Sequence, residues 1–129
     1  MNVVADTHAW VWFLTANPRL SIKAKAALSH PENLIIIPTI VILEIKFLYH
    51  RKRIALSYEE AVRQIESGAN VLLYPLDLSI ASLAPVSLEI HDAIIVGTTL
   101  HLSEELSRPV SLVTADQAIV DSGLVPVIW

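Results

Sequence analysis

The sequence predicts an α/β fold, a parallel β-sheet flanked by helices on both faces, in a single domain over residues 1–129. Three observations predict it. Short apolar runs rich in β-branched residues alternate along the chain with longer stretches of helical character. The apolar runs are not interrupted by polar residues, as they would be in a strand with one face in water. Capping and turn residues punctuate them, while three glycines and the lack of any repeat or low-complexity segment leave no obvious linker.

The elements follow in order. Residues 2–6 read as a short buried strand and 8–14 as a helix. Ser21 is placed to cap a second helix, 21–29. Residues 33–38 are a strand of β-branched residues closed by Pro38. A helix then runs to Arg51. Ser57 with Glu60 has the capping-box form and opens a helix to Ser67. Residues 70–76 read as a strand, 78–84 as a short helix and 91–106 as a longer one. Residues 110–114 form a strand, 116–122 a helix ended by Gly123, and 125–128 a last strand.

Composition narrows the function classes. A chain of 129 residues can bury a substantial core. Its hydrophobic fraction is 53% and its charged fraction only 17%. Part of that apolar surplus is expected at the surface, where it meets another chain. A membrane is not the expected sink. The longest oily stretch, Leu34 to Leu43, contains Pro38 and stops at Glu44, short of the ~20 residues a spanning helix needs. Asp6 breaks the first apolar run too early for a signal peptide. The absence of cysteine excludes disulfides and thiolate zinc sites and suits a cytoplasmic location. A net charge of −4 argues against indiscriminate nucleic-acid binding. The densest positive charge is Lys46, Arg51, Lys52 and Arg53, either phosphate contacts or simply cations at a helix C-terminus.

The acids carry the chemistry. Glu44 sits in the helical stretch TIVILEIKFLY, with Ile40 and Val41 one turn before it and Phe47 and Leu48 one turn after. Burying an ionised carboxylate is costly unless it is paired or coordinates a metal. Asp6 ends the first strand and Asp116 follows residues 110–114 by two, at the strand ends where open α/β sheets bind ligands. Asp92 opens the 91–106 helix. Each aspartate taken alone is explained by helix capping or the helix dipole. Glu44 is not, and a buried Lys or Arg partner is the alternative for it. Together, four acids in apolar surroundings repel one another unless a cation sits among them. Oxygen-only ligation suits Mg²⁺ or Mn²⁺.

The stretches VVADTHAWVWFL, TIVILEIKFLYHRKRIAL, IHDAIIVGTTL and LVTADQAIVDSGLVPVIW resemble the PIN domain, and within it the VapC-type toxins of bacterial toxin–antitoxin pairs. The resemblance covers nearly the whole chain. It places the family's acidic quartet on Asp6, Glu44, Asp92 and Asp116, and a hydroxyl residue two before the last acid on Thr114. Ala93 departs from the arginine that many VapC-type chains carry after the third acid. The resemblance implies a Mg²⁺- or Mn²⁺-dependent endoribonuclease leaving 5′-phosphate and 3′-hydroxyl ends. It implies Asp6 and Asp92 as direct ligands and Asp116 as a ligand directly or through water. Glu44 would hold water or assist proton transfer, and Thr114 would orient a carboxylate or the attacking water. RNA is the implied substrate, a small antitoxin the implied partner, and a homodimer the expected assembly.

Three rival readings are weaker. His91–Asp92 matches the dipeptide of HD phosphohydrolases, but the further metal-binding histidines of that family are not evident. A Mg²⁺-binding receiver domain needs a late lysine, and none follows Lys52. A PIN-fold interaction module without catalysis would not require all four acids. His8 and His91 are expected as structural or supporting groups. Trp10, Trp12 and Phe13 crowd one helix; the alternatives are core packing or, since Trp10 and Phe13 share a side and Trp12 points elsewhere, at least one ring in a subunit or antitoxin contact.

Overall fold

The computed structural model describes residues 1–129. Five strands, β1 (Asn2–Ala5), β2 (Leu34–Pro38), β3 (Val71–Tyr74), β4 (Ser111–Val113) and β5 (Val127–Ile128), form one sheet in the order β3-β2-β1-β4-β5. Every neighbouring pair is parallel. The connecting helices are α1 (Thr7–Leu14), α2 (Ile22–Ser29), α3 (Thr39–His50), α4 (Tyr58–Ser67), α5 (Leu78–Leu83), α6 (Ile90–Leu106) and α7 (Gln117–Ser122). The expected α/β fold and each expected element are present.

All five strands are shorter than expected, and prolines account for the shortening of two of them. β3 stops at Tyr74, because Pro75 has no N–H for the ladder. β5 holds two residues, because Pro126 likewise cannot donate; its carbonyl still accepts the Leu112 N–H at 2.8 Å.

Both faces of the sheet are covered. Val3, Val4 and Ala5 on β1, Ile35, Ile36 and Ile37 on β2, and Leu112 and Val113 on β4 are all buried. Successive strand residues point to opposite faces, so such runs need cover on each. Trp10 joins this core and stacks on Phe13, with ring centroids 5.6 Å apart and planes 25° apart. The apolar surplus does reach the surface: Leu43 and Phe47 on α3, Leu72 and Leu73 on the edge strand β3, and Leu78, Val86 and Ile90 are exposed. No helix is long and apolar enough to cross a membrane.

The strand order positions the site. The chain runs outward from β1 through β2 to β3, then returns past β1 to β4 and β5. The order therefore reverses between β1 and β4, which opens a crevice at their carboxyl ends.

The return path passes through α5 and α6, which meet closely at Gly97. A Cβ there would lie 3.0 Å from the Ile80 carbonyl oxygen and 3.1 Å from Ala84 Cα. Gly97→Val is expected to destabilise the fold by about 1–3 kcal/mol, the usual range for overpacking. An unchanged urea midpoint would contradict this close approach.

Candidate active site

Asp6 follows directly on β1. Its backbone is extended and its Oδ1 accepts the Ala9 N–H at 2.8 Å, capping α1. Its own N–H donates to the Val113 carbonyl at 3.1 Å. Thr114 follows β4 and is fully buried. The Thr114 hydroxyl donates to Asp6 Oδ2 and accepts the Asp116 N–H at 3.0 Å. Asp116 caps α7, with Oδ1 accepting the Ile119 N–H at 3.1 Å. One threonine thus ties together the two strand ends that flank the crevice.

Capping does not compete with ligation here. A carboxylate has about four lone-pair sites. Asp116 uses only Oδ1 as a cap, and Oδ2 has no hydrogen bond. Asp6 uses one site on each oxygen.

Asp92 lies in the first turn of α6, but the cap of that helix is Glu89, whose Oε2 accepts the His91 N–H at 3.0 Å. The Asp92 side chain is left without a hydrogen bond and lines the crevice. Glu44 comes from the middle of α3. Val41, Ile42 and Ile45 bury the inner face of that helix, and Glu44 is half-buried beside them. The Thr7 hydroxyl on α1 is buried without a hydrogen bond of normal geometry, yet it lies near enough to Glu44 to favour its ionised form.

These side chains open on one cleft of about 370 Å³. Asp6, Glu44, Asp92 and Asp116 line it, with Glu89, Thr7, His8, His91, Trp12 and Arg19. Thr114 lies beneath its floor. No lysine or arginine is ion-paired to any of the four acids; His91 Nδ1 is 3.4 Å from Glu89 Oε1, and the other ion pair is the exposed Arg63–Glu60. The buried cationic partner considered for Glu44 is therefore absent.

The electrostatics report crowding of like charge. Burial first, then the charges of Asp116, Glu89, Glu44 and Asp6, push Asp92 up to about 6. Burial raises Asp6, against the opposing hydrogen bond from Thr114. Burial also raises Glu44, against Thr7 and the two histidines. No three of the acidic and imidazole groups are close enough together to form a metal cage as they stand. The chemistry of the four acids, oxygen-only and without cationic partners, fits a hard divalent cation.

The pH dependence has a definite sign. A carboxyl whose folded pKa is raised binds its proton more tightly in the folded state than in the unfolded chain, where the value is ~3.9 for Asp. The Asp92 contribution to stability is thus fully present below about pH 4 and is lost as pH rises through about 6. Asp6 and Glu44 act in the same direction. The melting temperature in EDTA is expected to fall across this interval. Added Mn²⁺ should reverse the fall, because metal binding needs deprotonated ligands. An EDTA melting profile that is flat or rising over the interval would contradict the crowding.

The four sequence-adjacent cations do not share one surface. Lys46 Nζ lies 5.2 Å from the Tyr58 ring centroid, in the groove between α3 and α4. Lys52 and Arg53 border a separate depression with His50. Arg51 shares a groove with Glu44 and His91. Arg19, Thr7 and Glu89 belong to the cleft without having been singled out in the sequence. Ala93 is buried, so the position after the third acid packs inward.

Residues 3–121 match the PIN domain. The chain belongs to the PIN-domain family. This PIN domain is similar in fold to VapBC-1 from nontypeable Haemophilus influenzae, at 19% identity and a TM-score of 0.61, over 98% of this chain and 96% of that one. It is also similar to VapBC2 from Rickettsia felis bound to a DNA fragment from their promoter, at 16% identity and a TM-score of 0.59, over 98% of this chain and 97% of that one. No curated protein matches the sequence significantly. PIN domains are generally nucleases.

Proposed function

We propose that this PIN domain is a metal-dependent endoribonuclease, the toxin of a VapC-type toxin–antitoxin pair. One observation carries the reading. Four carboxylates from four separate places in the chain line, without a cationic partner, the crevice where the sheet order reverses. The likeness in fold to two VapBC structures supports the toxin branch of the family.

The residues then divide the work. Asp6 and Asp92 would hold the cation, and Asp116 would assist directly or through water. Mg²⁺ or Mn²⁺ supplies charge neutralisation at the phosphoryl oxygens and makes water a stronger nucleophile at neutral pH. Glu44, whose pKa is raised by burial, accepts the proton from the attacking water. Thr114 fixes Asp6 and therefore acts as a positioning residue. Arg51 is the basic-cluster residue best placed to meet the substrate, because it shares a groove with Glu44. Lys46, Lys52 and Arg53 would contact phosphates farther along the RNA.

A small antitoxin and a second copy of the chain are the proposed partners. The exposed Leu43, Phe47, Leu78, Val86 and Ile90 supply apolar surface for them. The test of the activity is purified protein, freed of any antitoxin, on total RNA with Mg²⁺, with Mn²⁺ and with EDTA. Discrete cuts are expected with either metal and none with EDTA. Cuts that persist in EDTA would exclude the metal mechanism. No cuts under any condition would favour an interaction module.

A further inference from the structure

The cleft holds an aromatic group that metal chemistry does not use. Trp12 and Arg19 line it beside the four acids. Trp10, two residues earlier on α1, is buried and stacked on Phe13; Trp12 is only half-buried. Two rings brace Trp12. The His8 centroid is 5.6 Å away with planes at 51°, and the Trp129 centroid is 5.9 Å away with planes at 56°. Both contacts are tilted, so no aromatic ring lies parallel against the indole. The exposed Arg19 guanidinium lies over the indole ring, 6.0 Å from its centroid, as a cation–π partner on one face, and makes no ion pair. It is the one lysine or arginine lining this cleft.

These features have a common use. A braced indole without a parallel partner can stack on the face of a base. Base–aromatic stacking tolerates any sequence, because every base has a π-face. The base must be unpaired, since duplex bases are already stacked on each other. A strand entering an acidic cleft also needs local positive charge for its phosphates, which Arg19 can provide. We propose that Trp12 is the stacking platform for one base of a single-stranded RNA next to the scissile phosphate, and that Arg19 holds a neighbouring phosphate. The proposal rests on the nuclease reading and assigns two residues of the same cleft to substrate binding.

The experiment uses the full chain with Glu44→Gln, so that RNA is not consumed, in Mg²⁺ with a fluorescent single-stranded oligoribonucleotide. Trp12→Ala is expected to weaken binding about tenfold, within the ~5- to ~100-fold range of single base–aromatic stacks. Trp12→Phe keeps a ring and should recover most of the affinity. Arg19→Gln should weaken binding and reduce its salt dependence by about one phosphate contact. A duplex of the same sequence should bind more weakly and be indifferent to Trp12→Ala. The oligonucleotide should quench indole emission in the parent, and the quench should be largely lost in Trp12→Phe. Mn²⁺ binding should be unchanged in all three variants, which separates the platform from the metal site. In the cleavage-competent chain, which keeps Glu44, Trp12→Ala should raise KM more than it lowers kcat.

Equal RNA affinity in the parent and a folded Trp12→Ala variant would overturn the platform and leave the nuclease reading intact. If Trp12→Ala does not fold, a quench that survives in Trp12→Phe overturns the platform instead. RNA binding that depends on Trp12 without any cleavage by wild type would remove the nuclease reading and keep the platform.

Discussion

An Asp6→Asn, Asp92→Asn double variant is expected to lose Mn²⁺ binding and about 1,000-fold or more of RNA cleavage, because metal-borne charge stabilisation supplies several kcal/mol to such reactions. The fold should survive. Asparagine can still cap α1 through its carbonyl oxygen, and Asp92 makes no side-chain hydrogen bond to lose. Removing charge also relieves the repulsion that raises Asp92. At neutral pH in EDTA the variant should therefore melt no lower than wild type, apart from any loss at the Thr114 contact. Calorimetry with Mn²⁺, read beside the melting curve, checks both statements. Unchanged Mn²⁺ binding in the folded double variant would end the metal assignment.

Thr114→Val should have the next largest effect. The side chain is fully buried and valine matches its shape. The change removes the hydroxyl that donates to Asp6 Oδ2 and accepts from the Asp116 N–H. A buried group left unsatisfied costs about 1–3 kcal/mol. Loss of an outer contact to a ligating group costs about 10–100-fold in metal affinity or activity. Thr114→Ser keeps the hydroxyl and should recover most activity, with some packing loss. Denaturation and Mn²⁺ titration of the two variants give the answer. A valine variant with wild-type Mn²⁺ affinity and cleavage would show that Thr114 does not position Asp6.

The order of elements was legible because each local signal agreed with its neighbours. Ser21 and Ser57 cap α2 and α4 as their positions suggested. Gly123 takes a left-handed backbone, φ 64°, at the end of α7. Glu44 stood out because a carboxylate on an apolar helical stripe has no local explanation. Long-range placements were not legible. That Glu89 rather than Asp92 caps α6 depends on one turn of backbone geometry. Arg19 and Thr7 reach the cleft only through the packing around α1. The basic cluster divides among surfaces for a geometric reason. Helical neighbours point about 100° apart, and the helix ends within the cluster, with Arg51 at the C-cap and Lys52 at φ 59°. Arg51 and Lys52, adjacent in sequence, therefore face different grooves.

The proposed RNA cutting by the four-acid cleft places Glu44 in the mechanism. The most direct measurement is to express wild type and Glu44→Gln without any antitoxin and map new RNA 5′ ends across the cell. The substitution preserves shape and removes one charge. Discrete 5′-phosphate ends are expected with wild type and their loss with Glu44→Gln, while the variant remains folded and keeps much of its RNA affinity. Cuts of equal strength in both proteins, at the same sites, would contradict this role of Glu44.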